Sequence, residues 1–192
     1  AAQCNGGILN MSRIAFDVGV DPKTIETYFS ILEDTLIGFR LAAYHRSVRK
    51  QIRLAPKFYL FDPGVGRAMA GRLRLPVLPE TYEYDKAFEH WVLLEAMRLN
   101  DYQALDYRFS YVRTKDDAEI DLVIERPGEK DLLVEIKSTE RLRPEQVTTL
   151  KRFLDGWPVP AEGRVWTREK REKKFGRIRV LPWQEGLKEA GL

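Results

Sequence analysis

The chain has 192 residues, of which 44% are hydrophobic and 32% charged, with a formal net charge of +3. That is enough apolar material for a packed core, which excludes a disordered or fibrous chain, and no run of about 18 apolar residues is present to span a membrane. A single cysteine, Cys4, and two histidines, His45 and His90, leave no internal disulfide and no ordinary Cys/His zinc set. Residues 1–7 lack a signal-peptide pattern, so a cytoplasmic protein without membrane attachment is expected.

Charge is unevenly spread: residues 1–76 carry a net +5, residues 77–160 a net −6, and residues 161–192 a net +4. Such segregation suits two units with different surfaces. In Leu75-Pro76-Val77-Leu78-Pro79, two prolines restrict themselves and their predecessors, which places a boundary there. The expected domains are therefore 1–76 and 77–192.

In the first unit, Ile8, Met11, Ile14, Ala15 and Val18 recur at helical spacing and Gly19 ends the run. Asp21-Pro22 reads as an N-cap followed by proline at the first helical position. The helix it opens is expected to bury Ile25, Tyr28, Leu32 and Leu36. The short link between the helices is that of a helix-turn-helix. Residues 39–44 and 57–61 read as strands, and helices followed by a two-stranded ribbon describe a winged helix. The link between those strands carries Arg46, Arg49, Lys50 and Arg53, which could displace counterions from DNA phosphates. Lys23, Thr24 and Thr27 lie on the exposed face of the second helix, where a groove would meet them. A solvated loop, or a module that docks protein, is the alternative for this unit.

The second unit opens with a predicted helix over 85–99, with Phe88, Trp91, Val92, Ala96 and Leu99 in one stripe. Strands are expected at 107–113, 119–125 and 131–138, then a helix at 144–153, strands near 164–167 and 178–181, and a helix near the end. The hairpin is the informative part. Ile120, Leu122 and Ile124 alternate along its first strand, and Leu132, Val134 and Ile136 along its second. Pairing these apolar sets fixes an antiparallel register with a short loop at Pro127-Gly128-Glu129, and a one-residue slip would split them between faces. The same register sets Asp121 opposite Glu135 and Glu119 opposite Lys137. Two carboxylates roughly 5 Å apart repel unless a cation lies between them, and hard oxygen ligands suit Mg²⁺ or Mn²⁺. Lys137, on the same side, could orient water or stabilise charge developing on a phosphoryl centre. A solvated polar face is the plainer alternative for any such hairpin.

Asp121, the Glu135-Ile136-Lys137 tripeptide and the preceding helix with Phe88-Glu89 resemble the PD-(D/E)XK nuclease superfamily, whose fold is restriction-endonuclease-like. The likeness extends over nearly the whole chain. Thr24-Ile25-Glu26-Thr27-Tyr28, Lys57-Phe58-Tyr59-Leu60-Phe61-Asp62-Pro63-Gly64 and Leu181-Pro182-Trp183 resemble the C-terminal part of a large prokaryotic family of AAA-plus ATPases. There a P-loop ATPase is followed by a winged helix and a domain of unknown function, number 4143, with a nuclease-like core. The resemblance implies an α/β chain: a winged helix, then a restriction-endonuclease-like domain with a mixed central sheet. It implies Asp121, Glu135 and the Ile136 carbonyl as metal ligands, Lys137 as catalytic lysine, and Glu89 as a helix carboxylate reaching the same site. The sequence departs from the family where a glycine is expected shortly before Phe88; Tyr84-Asp85-Lys86-Ala87 stands there.

No Gly-x-x-x-x-Gly-Lys-Ser/Thr occurs, so no nucleotide site is expected, and the chain is expected to be the C-terminal part of a longer protein whose ATPase module lies elsewhere. The tryptophans read as core or partner-facing anchors, and the charged run from Arg168 to Lys174 as a solvated helix or loop. The expected function is DNA binding with Mg²⁺- or Mn²⁺-dependent phosphodiester cleavage. The alternatives are a nuclease-like fold serving the ATPase as an inactive binding or regulatory module, and a transcriptional regulator.

Overall fold

The computed structural model describes residues 1–47 and 54–192. The chain forms two compact units, Ala1–Pro76 and Val77–Leu192. Among the described residues there are six α-helices, and none is long and apolar enough to cross a membrane.

The first unit contains β1 (Gly7–Ile8), α1 (Met11–Val18), α2 (Pro22–Asp34), β2 (Gly38–Ala43), β3 (Lys57–Leu60) and α3 (Pro63–Met69). Asn10 caps α1 by accepting the Arg13 N–H, and Gly19 closes it in the left-handed conformation at φ 76°. Asp21 caps α2, with Pro22 in the first turn. Strand β3 is central, pairing antiparallel with β1 and β2 (Gly7↔Phe58, Phe39↔Tyr59). The two helices bury Ala15, Ile25 and Phe29 against Leu9, Phe58 and Leu60. Phe29 meets Phe58 edge-on at 4.8 Å, worth about 0.5–1.5 kcal/mol beyond burial. A β-carbon at position 38 would overlap the Phe58 ring, which explains Gly38.

The buried stripe of α2 differs from expectation. Tyr28 is 59% and Leu36 81% exposed, and Phe29 takes the core position instead. Adjacent aromatics make the helical phase ambiguous by one residue, and the partner ring of Phe58 decides it. Helix α3 was not anticipated; Asp62 accepts the Val65 N–H and Pro63 sits at its first turn, a start signal of the same kind as Asp21-Pro22.

The second unit contains α4 (Tyr82–Gln103), β4 (Arg108–Arg113), β5 (Glu119–Glu125), β6 (Asp131–Ile136), α5 (Thr148–Gly156), β7 (Ala161–Thr167), β8 (Lys173–Phe175), β9 (Ile178–Pro182) and α6 (Trp183–Glu189). Its strands run in the order β4-β5-β6-β7-β9-β8. β4, β5 and β6 form an antiparallel meander; β7 adds parallel to β6 after the α5 crossover, β9 adds parallel to β7, and β8 closes antiparallel. The unit is thus α/β with a large mixed sheet, as the sequence predicts.

Both faces of the central strands are covered. Ile120, Leu122, Val123, Ile124, Leu133 and Val134 are all fully buried. The side of the hairpin that carries Asp121 and Glu135 is therefore no solvated face, since Val123 and Leu133 lie on it too. The stripe of α4 holds at Val92 and Ala96, which are buried, but Trp91 is 54% exposed, and Glu89, His90, Leu93 and Leu94 are buried as well. The charged run after Thr167 is not a simple solvated loop. Glu169 is buried, accepts the Leu142 N–H at 2.6 Å and pairs with Lys173, which begins the edge strand β8.

Candidate metal centre and catalytic cleft

The cleft is built where α4 passes the end of the β5–β6 hairpin. Thr81 caps α4 by accepting the Tyr84 N–H, which orients the turns that carry Tyr82, Lys86 and Glu89. The hairpin register Leu122↔Val134, Val123↔Leu133, Ile124↔Leu132 is the one the apolar pattern demands. Just beyond it, Asp121 Oδ2 accepts the Ile136 N–H at 2.8 Å, so the carboxylate reaches across to the neighbouring strand. The Lys137 N–H donates to the Trp166 carbonyl at 2.9 Å, which holds this lysine at the carboxyl ends of β6 and β7. Sites in open α/β sheets gather at such strand ends.

A cavity of about 550 Å³ lies here, with Lys86, Glu89, Asp121, Ile136, Lys137 and Arg168 among its lining. Gln146 lines it as well, its side-chain oxygen accepting the Arg143 N–H at 2.9 Å. Asp85 and Ser138, also at this cavity, are hydrogen-bonded to each other.

Three carboxylates converge. Glu89, Glu119 and Asp121 each place one oxygen within 4.8 Å of the others. Lys86 Nζ sits 2.7 Å from Glu89 Oε2. Burial would lower the pKa of the Lys86 ammonium, but Glu89 and then Asp121 outweigh it and hold the pKa above the ordinary lysine value. Lys137 is held high in the same way: burial opposes its charge, and Asp121, Glu135 and Glu89 more than compensate. Both lysines are cations at neutral pH.

Glu135 takes a different place. Its side chain is only 3% exposed, Oε2 lies 3.6 Å from Lys137 Nζ, and Oε1 is buried without a hydrogen-bond partner. Burial raises its pKa, and Lys137 offsets this only in part. It does not line the cleft. The structure therefore brings Glu89, Asp121, Ile136 and Lys137 together and leaves Glu135 behind Lys137. Glu119, which like Glu135 does not line the cleft and lies 3.8 Å from Arg113, is the third carboxylate of the converging group. The signal for Glu119 was available, because residues two apart on a strand share a face. Lys86 likewise lies one helical turn before Glu89.

In the first unit, Lys23, Thr27 and Arg46 are exposed. Thr24 is half-buried and works locally, its backbone N–H and hydroxyl both donating to Asp21. The Thr27 hydroxyl donates to the Lys23 carbonyl at 3.0 Å. Arg49, Lys50 and Arg53 lie outside the described residues.

The second unit is thus an α/β fold with a large mixed sheet and a cleft at its strand ends. Residues 84–185 match the family described as "Domain of unknown function (DUF4143)", and the chain belongs to that family. Residues 1–75 match a second family, "Domain of unknown function (DUF8612)". Among curated proteins, the chain is similar to "Uncharacterized protein Rv2008c" of Mycobacterium tuberculosis and "Uncharacterized protein Mb2031c" of Mycobacterium bovis. It is 28% identical to each over 127 residues, which are 66% of this chain and 28% of the relative's length. No solved structure matches.

Proposed function

We propose that the second unit is a restriction-endonuclease-like module that hydrolyses phosphodiesters with Mg²⁺ or Mn²⁺, and that the first is a winged helix that engages DNA. The observation that carries this reading is the convergence of Lys137, Asp121 and Glu89 in one cleft. The donor set fits a hard divalent ion: Glu89, Glu119 and Asp121 offer only carboxylate oxygens, and among the described residues no sulfur or imidazole joins them. Such an ion, when bound, would supply Lewis acidity and a more acidic water.

The protein's own groups would do the rest. Asp121 is oriented by the Ile136 N–H. Lys137, kept protonated and held by the strand ends, would stabilise charge growing on the phosphoryl oxygens and orient the attacking water. In the first unit, α1 and α2 joined by a short turn, followed by the β2–β3 ribbon, support the winged-helix reading, with exposed Lys23 and Arg46 available to phosphates.

A second reading rests on Glu135. Glu135, expected as a ligand, is buried against Lys137 and is not part of the cleft lining, which favours a module that binds without turnover. DUF4143 regions are typical of the C-terminal parts of AAA-ATPases, so regulation of such an ATPase is the role this second reading assigns.

Plasmid nicking in Mn²⁺ separates the two, with the wild type run beside Lys137→Ala and Asp121→Asn. Cleavage by the wild type alone is expected. Equal nicking by all three overturns the catalytic assignment, and DNA binding without nicking by any of them selects the second reading.

A further inference from the structure

Tyr82, Lys86 and Glu89 follow one another along one side of α4, and all three line the cleft. They differ in freedom. The Glu89 side chain is 10% exposed and cannot leave its place, whereas that of Lys86 is 40% exposed and reaches Glu89 from the solvent side. Lys137, the other cation, is tied at its backbone to Trp166 and at its side chain to Glu135. Of the three converging carboxylates, Glu89 is paired with Lys86 and Glu119 lies 3.8 Å from Arg113, outside the lining of the two lysines' cleft.

We infer that Lys86 is a displaceable internal counter-ion, holding the acidic cluster together without metal and competing with the divalent ion for Glu89 and Asp121. The inference rests on the metal-dependent reading above and adds a control on it. A divalent ion that takes Glu89 Oε2, or draws that carboxylate toward Asp121, displaces Lys86 from the 2.7 Å pair. The ammonium then has somewhere to go: the Tyr82 ring, one turn back on the same helix side, has its centroid 6.0 Å from Nζ. Tyr82 lines the same cleft, so the ammonium stays within reach of a phosphate bound there. Metal entry thus frees a cation for a polyanion, and the two ligands favour one another by linkage.

The test is a Mn²⁺ titration of the intact chain, followed by the electron paramagnetic resonance of free Mn²⁺. It uses wild type, Lys86→Met, Lys86→Gln, Arg168→Met and Asp121→Asn, each checked for folding by circular dichroism. Arg168 is a useful control because it lines the same cleft but pairs with Glu140 at 2.8 Å, outside the acidic cluster. Both Lys86 variants should bind Mn²⁺ about three- to tenfold tighter, as expected for removing a half-exposed competing ion pair. Arg168→Met should stay within about twofold of wild type. Unchanged or weaker binding by the Lys86 variants, with Asp121→Asn still losing affinity, overturns the counter-ion role and leaves the metal site standing. An equal gain from Arg168→Met also overturns it, since a general field would then explain the effect. If Asp121→Asn binds Mn²⁺ like wild type, the metal-site reading itself falls and the inference goes with it.

Discussion

The parallel strands β6 and β7 gather charge at both ends, but in opposite styles. At their amino ends, around the hairpin turn, a hollow of about 780 Å³ is rimmed by matched ion pairs. Arg126 meets Glu129 at 2.7 Å, Lys130 meets Glu162 at 3.3 Å, and Arg164 bridges Glu162 and Glu189 at 2.7 and 2.6 Å. At their carboxyl ends, the smaller cleft of about 550 Å³ has acids in surplus, and one of them, Glu135, is buried with an unpartnered oxygen. In the larger hollow most charged side chains are tied into ion pairs, although Asp131 adds a further acid and Arg126 Nε is buried without a hydrogen-bond partner. Volume alone favours the amino end, whereas the converging carboxylates and lysines favour the carboxyl end as the candidate site.

Substitutions at the two ends should separate along the same line. The largest effect is expected at the carboxyl end: Asp121→Asn or Lys137→Ala should lower the Mn²⁺-dependent nicking rate by about a hundredfold or more, without a matching loss in urea denaturation. At the amino end the order reverses. Arg164→Ala strips a largely buried guanidinium from two carboxylates and should cost about 1–3 kcal/mol of unfolding free energy by urea titration, with nicking per folded molecule unchanged.

A subtler contrast is pH dependence. Because burial raises the pKa of Glu135 above its ordinary 4.5, the folded protein binds that proton more tightly than the unfolded chain. The stability contribution of this residue is therefore most favourable below that value and declines as pH rises through it. Glu135→Gln should gain stability relative to wild type between about pH 4 and pH 7, read from urea midpoints at each pH. A variant that tracks wild type at both pH values would contradict the buried carboxylate with a raised pKa. The smallest effect is expected for Lys130→Ala. Its side chain is 58% exposed, and such pairs contribute less than about 1 kcal/mol, so the denaturation midpoint should barely move.

How far the sequence revealed this arrangement depended on the element. The hairpin register was readable because two apolar triplets of opposite strands align in only one parity, and Leu122, Val134, Ile124 and Leu132 duly pair. The neighbours of Asp121 were harder to read. Pairing arithmetic puts Glu135 level with it, but cannot say that Glu135 stays buried behind Lys137 while Glu119 and Glu89 converge on Asp121. Those contacts depend on where α4 crosses the sheet. Its buried side was read correctly at Val92 and Ala96 but is wider and partly polar: Glu89 and His90 are covered too, whereas Trp91 faces out. Helix α3 went unnoticed although Asp62-Pro63 carries the same start signal as Asp21-Pro22, since its seven residues are too few to show a periodic pattern. Strand β8 was hidden by its lysines, which suit an exposed edge strand as well as they suit a loop.

The Asp121–Ile136 hydrogen bond makes one main-chain proton answer to a side chain. Anything that draws the Asp121 carboxylate outward leaves that amide without its acceptor at a strand end packed on both sides. Deuterium uptake at Ile136 should therefore quicken or slow with the state of the carboxylate, which makes a single backbone position a built-in gauge of what occupies the cleft.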